Sequence, residues 1–281
     1  MSAATSQEAP RSPGVLTRAL SGQGARAMGF MRHAGAVMIL ASRATVSFFR
    51  SLATGRFELR SFIYQLEQLG VRSLGIAAAT AVFVGIVMAI QFAFSLERFG
   101  ARDSVGRIVG LSMVRELAPS LTSLVVGSRI AAGIAAELGS MAVTEQIDAI
   151  RALGADPIKK LVVPRVLAGI VLMPLLACFA IVLGVGSAMV VCQVTFGIPM
   201  PFFLSTAIDT VDLADFLSGI GKTPVFGFIV CLLGCHFGMT TRGGTEGVGR
   251  STTTSVVVVS ISILVANAIL TQLFLSLIGQ A

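Results

Sequence analysis

Four charged side chains stand in or beside one apolar run. Arg115 and Glu116 precede it, Arg129 lies inside residues 117–136, and Glu137 follows. A charge at the centre of a bilayer costs about 3 kcal/mol even on the lenient insertion scale, so each of the four should face a partner, a cavity or water. Arg129, Gly133 and Glu137 recur at i, i+4 and i+8 and share one helical stripe. Pro119 has no N–H to offer, so the carbonyl of Arg115 loses its helical partner and a kink is expected beside Arg115 and Glu116. Three uses of these charges stay open: a polar wall for a ligand, internal pairs that hold a helix bundle, or a proton relay through Glu116 and Glu137 in an ion-coupled carrier.

Other chemistry is poorly supplied. Gly244, Gly249, Arg250 and Ser251 come within one residue of the phosphate-binding pattern G-x-x-x-x-G-K-[ST]. Arg stands where the Lys should be, no strand precedes it, and a lipid-length apolar run follows, so a nucleotide site is rejected. The stretch reads as a flexible cytosolic loop, with Thr252, Thr253 and Thr254 near the N-terminus of the next helix. Nothing else resembles an ATPase, and any ATP hydrolysis belongs to another chain. Cys231, Cys235 and His236 follow C-x-x-x-C-H instead of the C-x-x-C-H of haem attachment, and buried cysteine serves as a small hydrophobe, so no metal or cofactor is implied. An intramembrane hydrolase would need a nucleophile with a partner, and the apolar runs offer one His and no G-x-S-x-G.

Residues 144–153 suggest a short helix. Thr144 suits the N-cap, Glu145 and Asp148 flank Gln146 in the first turn, and Gly154 suits the C′ position. Ile147, Ile150 and Leu153 recur every third residue along one side. Such an apolar ridge with exposed carboxylates makes a docking knob for a soluble partner, although capping alone also accounts for the acids.

The elements that must position these residues are apolar. Of 281 residues 54% are apolar and 12% charged, with a mean hydropathy of +0.88. A soluble domain has about 25% charged residues, so an ordinary soluble domain is excluded. Crossing a bilayer takes about 20 apolar residues. Five runs qualify, giving an all-α membrane protein with spans at about 74–96, 105–138, 163–195, 223–240 and 255–277. The third contains 29 residues without a charge, and Pro174, Gly184 and Gly186 inside it predict a tilted or bent helix. Gly127, Ala131, Ala135 and Gly139 form a row of small residues that permits close helix contact.

The net charge of +7 could suggest nucleic acid, but its placement argues otherwise. Of 21 Lys and Arg, fifteen fall before the first span, between the second and third, or between the fourth and fifth. The opposite side holds Arg98, Arg102, Arg107 and Lys222. This bias places the N-terminus in the cytosol and removes the case for nucleic-acid binding. Residues 1–29 lack the apolar stretch of a signal peptide and read as a disordered cytosolic tail, with a faint likeness to an organellar transit sequence. In residues 30–52, apolar positions interleave with Arg32, Arg43 and Arg50, which suits an amphipathic helix in the interface or one packed on the protein's own cytosolic face.

Several ordered motifs resemble the MlaE/YrbE permease family, the membrane subunits of ABC-type lipid transporters. They are Arg115-Glu-Leu-Ala-Pro119, Gly127-Ser-Arg129, Ala136-Glu-Leu-Gly139, Thr144-Glu-Gln-Ile-Asp148, Val163-Pro-Arg165 and Thr241-Arg-Gly-Gly-Thr-Glu-Gly-Val-Gly249. The resemblance covers residues 60 to 277 and implies a permease without its own nucleotide site, moving phospholipids or related lipids between inner and outer membranes. It implies a homodimer, two cytosolic ABC ATPase subunits and a ring of MCE-domain proteins on the outer side, and allows a small cytosolic STAS-type subunit. By resemblance, the helix at 144–153 is the coupling helix that seats on the ATPase through Thr144, Glu145, Gln146, Ile147, Asp148, Ile150 and Leu153. The first two spans would line the lipid cavity at the dimer interface with Met88, Gln91, Phe92, Phe99, Arg115, Glu116 and Leu117, and Arg129 and Glu137 would be membrane-embedded polar residues. The expected location is a bacterial inner membrane, with the plastid inner envelope as the alternative that the N-terminal extension leaves open.

Overall fold

The computed structural model describes residues 59–278 together with Gly35, Met38, Ile39, Leu40 and Ser42. The tail at 1–29 and nearly all of the amphipathic segment at 30–52 lie outside the described residues; the five described positions within that segment are helical. Among the described residues every regular element is helical. Five of the described helices are long and apolar enough to cross a membrane: α1 (Leu59–Glu97), α2 (Arg102–Val143), α4 (Ile158–Phe196), α6 (Leu213–Met239) and α7 (Gly244–Ile278). Two short helices join them, α3 (Gln146–Ala152) between α2 and α4 and α5 (Met200–Thr210) between α4 and α6.

The helices extend beyond the apolar runs that announce them. The fourth begins at Leu213 instead of near residue 223, because Asp212 and Asp215 form a reciprocal cap there, with the Asp212 N–H donating to Asp215 Oδ2 at 3.3 Å. Lys222, assigned by charge sorting to an outer loop, is therefore inside α6. The residues expected to form a loop at 244–251 are the first turns of α7, where Thr252, Thr253 and Thr254 donate back to the carbonyls of Val248, Gly249 and Arg250. Helix α5 left no mark in the hydropathy pattern. It packs on the start of α2, where Gly110 lies against Ala207 and Phe203 is fully buried.

Contacts between the long helices are made through small residues. In the small-residue row Gly139 faces Thr241 and Val248, and Gly127, Ala131 and Ala135 face α6. There, a Cβ on Gly127 would stand 2.8 Å from Val230, and Gly234 and Gly238 pack on Ala131 and Ala135. Gly169 of α4 meets Gly227 of α6 backbone to backbone, as Gly85 of α1 meets Gly184 of α4. Close approach of this kind lets dispersion and backbone contacts hold helices whose apolar surfaces gain little from leaving lipid. The core forms two clusters. One, around Ile130, Ile134, Met173 and Phe226, joins α2, α4 and α6 toward the α3 end of the bundle. The other, around Met113, Ala89, Ala188 and Phe203, closes the opposite end.

Candidate functional site

At residues Met113–Leu117 α2 makes a π-helical turn, just before Ala118 and Pro119. Pro119 withholds the donor that the Arg115 carbonyl would have used. That carbonyl instead accepts from Lys222 Nζ at 3.3 Å. Lys222 is 2% exposed, and all three of its protons are engaged, the other two with Glu116 Oε1 at 2.6 Å and Thr271 Oγ1 at 2.9 Å. Thr271 donates to Glu116 Oε1 at 2.9 Å, and Asn267 Nδ2 donates to Glu116 Oε2 at 3.2 Å. The Oδ1 atom of Asn267 is buried and has no hydrogen-bond partner among the described residues. On the other flank Arg115 Nε lies 3.5 Å from Asp215 Oδ1. Two cations and two anions from α2 and α6 thus form a balanced node, completed by two polar side chains of α7.

The node borders an apolar groove. A cavity of about 700 Å³ is lined by Val114, Ile181, Val185, Met189 and Phe216, with Asp212 at its polar edge. Val114 and Phe216 are the chain neighbours of Arg115 and Asp215. The arrangement offers a charged anchor beside an apolar wall.

The residues expected to line a cavity between the first two spans do not all converge. Phe92 and Leu117 are half-buried against the same cluster, and Met88 is half-buried on α1. Gln91 is exposed on that helix, and Phe99 is 82% exposed in the turn after it. Glu116 turns away from α1 and toward α6 and α7.

Arg129 and Glu137 lie at the other end of α2. Arg129 donates to Ser73 of α1 at 2.8 Å, and Glu137 accepts from Arg165 of α4 at 2.8 Å. With Gly133 they line one cavity of about 480 Å³, so the stripe expected from their spacing is present.

Helix α3 starts one residue later than its sequence suggests. Thr144 does not cap it; its hydroxyl donates to the carbonyl of Ser140 and finishes α2. Glu145 takes the N-cap position with φ +58°, and Gly154 ends the helix at φ +77°, the left-handed geometry expected of a C′ glycine. The apolar ridge is divided. Ile147 is buried in the bundle and Ile150 packs partly against it, whereas Leu153 is 86% exposed. Two of the three apolar residues therefore seat α3 on its own chain, and Glu145, Gln146, Asp148 and Leu153 remain on the outside.

The chain has known relatives. The family described as Permease MlaE matches residues 62–273. The chain belongs to the MlaE permease family. It is 38% identical over 236 residues to a probable ABC transporter permease protein of Synechocystis, covering 84% of this chain and 90% of that one. A probable ABC transporter permease protein of Rickettsia typhi is 42% identical over 209 residues, covering 74% and 81%. The chloroplastic protein trigalactosyldiacylglycerol 1 of Arabidopsis thaliana is 37% identical over 227 residues, 81% of this chain; the chain spans 65% of that protein's length. This MlaE permease is thus a multi-pass membrane protein of the ABC transporter class. Four members of its polar node, Asp215, Lys222, Asn267 and Thr271, escaped the motif reading. Their only signal was polarity at positions flanking or inside otherwise apolar runs.

Proposed function

We propose that this MlaE permease moves phospholipids or related lipids between an inner and an outer membrane, driven by a separate ATPase. The observation that carries the reading is the node of Arg115, Glu116, Lys222 and Asp215 beside the apolar groove at Val114 and Phe216. A lipid needs an apolar wall for its acyl chains and a polar contact for its headgroup, and this place supplies both. The Arabidopsis relative is named for a glycolipid, which supports a lipid as cargo.

The wider assembly follows the family. The chain acts as a homodimer with two cytosolic ABC ATPases, an MCE-domain ring on the outer side and a small STAS-type subunit in the cytosol. It resides in a bacterial inner membrane with the N-terminus in the cytosol. Helix α3 is the coupling helix, and closure of the ATPases against Glu145, Asp148 and Leu153 switches the groove between open and collapsed states. Met88, Gln91, Phe92, Phe99 and Leu117 join the lipid path where a second copy approaches α1.

An ion-coupled carrier using Glu116 and Glu137 is less well supported. The two carboxylates are about 30 Å apart along α2 at 1.5 Å per residue. Each is committed to a different cation, Lys222 or Arg165. The deciding experiment is reconstitution with the ATPase. Lipid movement that needs ATP and stops with a hydrolysis-dead ATPase is expected; movement that persists without the ATPase and collapses with an uncoupler would overturn the proposal.

A further inference from the structure

The cavity of about 480 Å³ at the α3 end of the bundle takes no part in the node. Gln65 and Arg72 of α1 form one wall, where the π-helical turn Glu67–Val71 widens that helix, and Arg129, Gly133 and Glu137 of α2 form the other. Its depth is set by its contacts. Arg129 is bonded to Ser73, next to the start of the charge-free run at 74–96, and Glu137 to Arg165, next to the start of the run at 166–194. The cavity therefore lies at the polar boundary of the bilayer on the side of α3.

Its charges do not balance. Glu137 is held by Arg165, which is 4% exposed and anchored by a second bond to the carbonyl of Leu161 at 2.6 Å. Arg129 has one bonded partner among the described residues, the neutral Ser73. Arg72 has no ion pair among the described residues. A guanidinium carries five N–H donors in a planar fork that matches phosphate oxygens. Two such forks, with the one carboxylate that lines the cavity already held by Arg165, leave an excess of positive charge in a cavity of headgroup size. Gln65, 8% exposed, adds an amide to the same wall. Opposite it the wall is open, since a Cβ on Gly133 would meet nothing within 4 Å.

We infer that this cavity holds the phosphate of an anionic lipid headgroup between Arg72 and Arg129, in the leaflet on the α3 side and apart from the Arg115 node. Such a site needs only the membrane placement of α1 and α2 and works whether or not an ATPase drives the chain.

The chain contains no Trp, so Tyr64→Trp in the cavity wall creates a single fluorophore without background. The full chain in mixed micelles is titrated with phosphatidylglycerol carrying brominated acyl chains, which quench Trp on contact, and in parallel with brominated phosphatidylcholine. Phosphatidylglycerol should quench at a mole fraction about fivefold lower or better, and Arg72→Gln or Arg129→Gln should each weaken its binding about fivefold, the equivalent of one basic residue at an anionic surface. Gly133→Leu keeps every charge, points a side chain into open space, and should abolish the preference while the circular dichroism spectrum and elution volume stay unchanged. Equal quenching by the two lipids, or a preference that survives Gly133→Leu, would overturn the site. Inorganic phosphate is the last arm. It should leave the phosphatidylglycerol preference intact, and erasure of that preference by phosphate would assign the cavity to the free anion and overturn the lipid.

Discussion

Lys222 does two jobs at once. It neutralises Glu116 and supplies the donor that Pro119 denies to the Arg115 carbonyl. Replacing it by Met would leave a carboxylate and a carbonyl short of partners in a poorly hydrated site. We expect Lys222→Met to lower stability in detergent by about 3 kcal/mol, the low end for a broken buried pair because Glu116 keeps a third of its surface. Adding Glu116→Gln should recover part of the loss, and thermal unfolding of the two single variants and the double variant closes the cycle. Arg115 is bound less tightly, 30% exposed and 3.5 Å from Asp215. Arg115→Ala should therefore leave assembly intact and slow ATP-driven lipid transport about tenfold, as loss of one charge-assisted contact would. Unchanged transport would return Arg115 to a purely structural role. The sequence exposed Arg115, Glu116 and Pro119 as a strained group, because charge and proline stand out in an apolar run. It could not expose Lys222, which lies 106 residues from Glu116 and immediately precedes an apolar run whose helix begins ten residues earlier, at Leu213.

The helices were legible as apolar runs, but their ends and their mutual contacts depend on caps and on glycines that meet across the bundle. Two substitutions separate these roles. A Cβ at Gly227 would collide with the backbone of Gly169, which cannot move aside without shifting α4. Gly227→Ala should cost about 2 kcal/mol by overpacking, seen as a lower melting temperature. Gly133→Ala adds a methyl to open space on an exposed helix face and should stabilise by up to about 1 kcal/mol. Helix α3 divides in the same way. Asp148 and Arg151 pair at 2.7 Å, but both are mostly exposed and contribute at most about 1 kcal/mol. Glu145→Lys with Asp148→Lys should therefore keep the fold and abolish both co-purification with the ATPase and lipid-stimulated hydrolysis. Survival of both would refute α3 as the coupling helix. Periodicity misjudged this element because three apolar residues in register read as one exposed ridge, whereas the bundle buries Ile147 and leaves Leu153 outside.

At the scale of the molecule, burial is uneven in a way that no run of hydropathy reveals. In α6 56% of the most apolar stretch is buried, in α7 only 11%. Lipid alone would accept an apolar face, and α7 supplies Asn267 and Thr271 to the node from its other side, so its exposed side faces away from the node. Val257, Ile261, Leu264, Ala268 and Gln272 are exposed along it at spacings of four, three, four and four, the pattern of a helix seam. A second copy seated there would cover Gln272. The four native cysteines, Cys178, Cys192, Cys231 and Cys235, are unbridged and can be replaced by Ala to give a silent background. In that background Ile261→Cys and Leu264→Cys should oxidise to a covalent dimer in native membranes. Val182→Cys, 70% exposed on α4, should remain monomeric because lipid and not protein covers it. Cross-linking at Val182 as strong as at the seam would mean random collision, and none at any seam position would place the partner elsewhere.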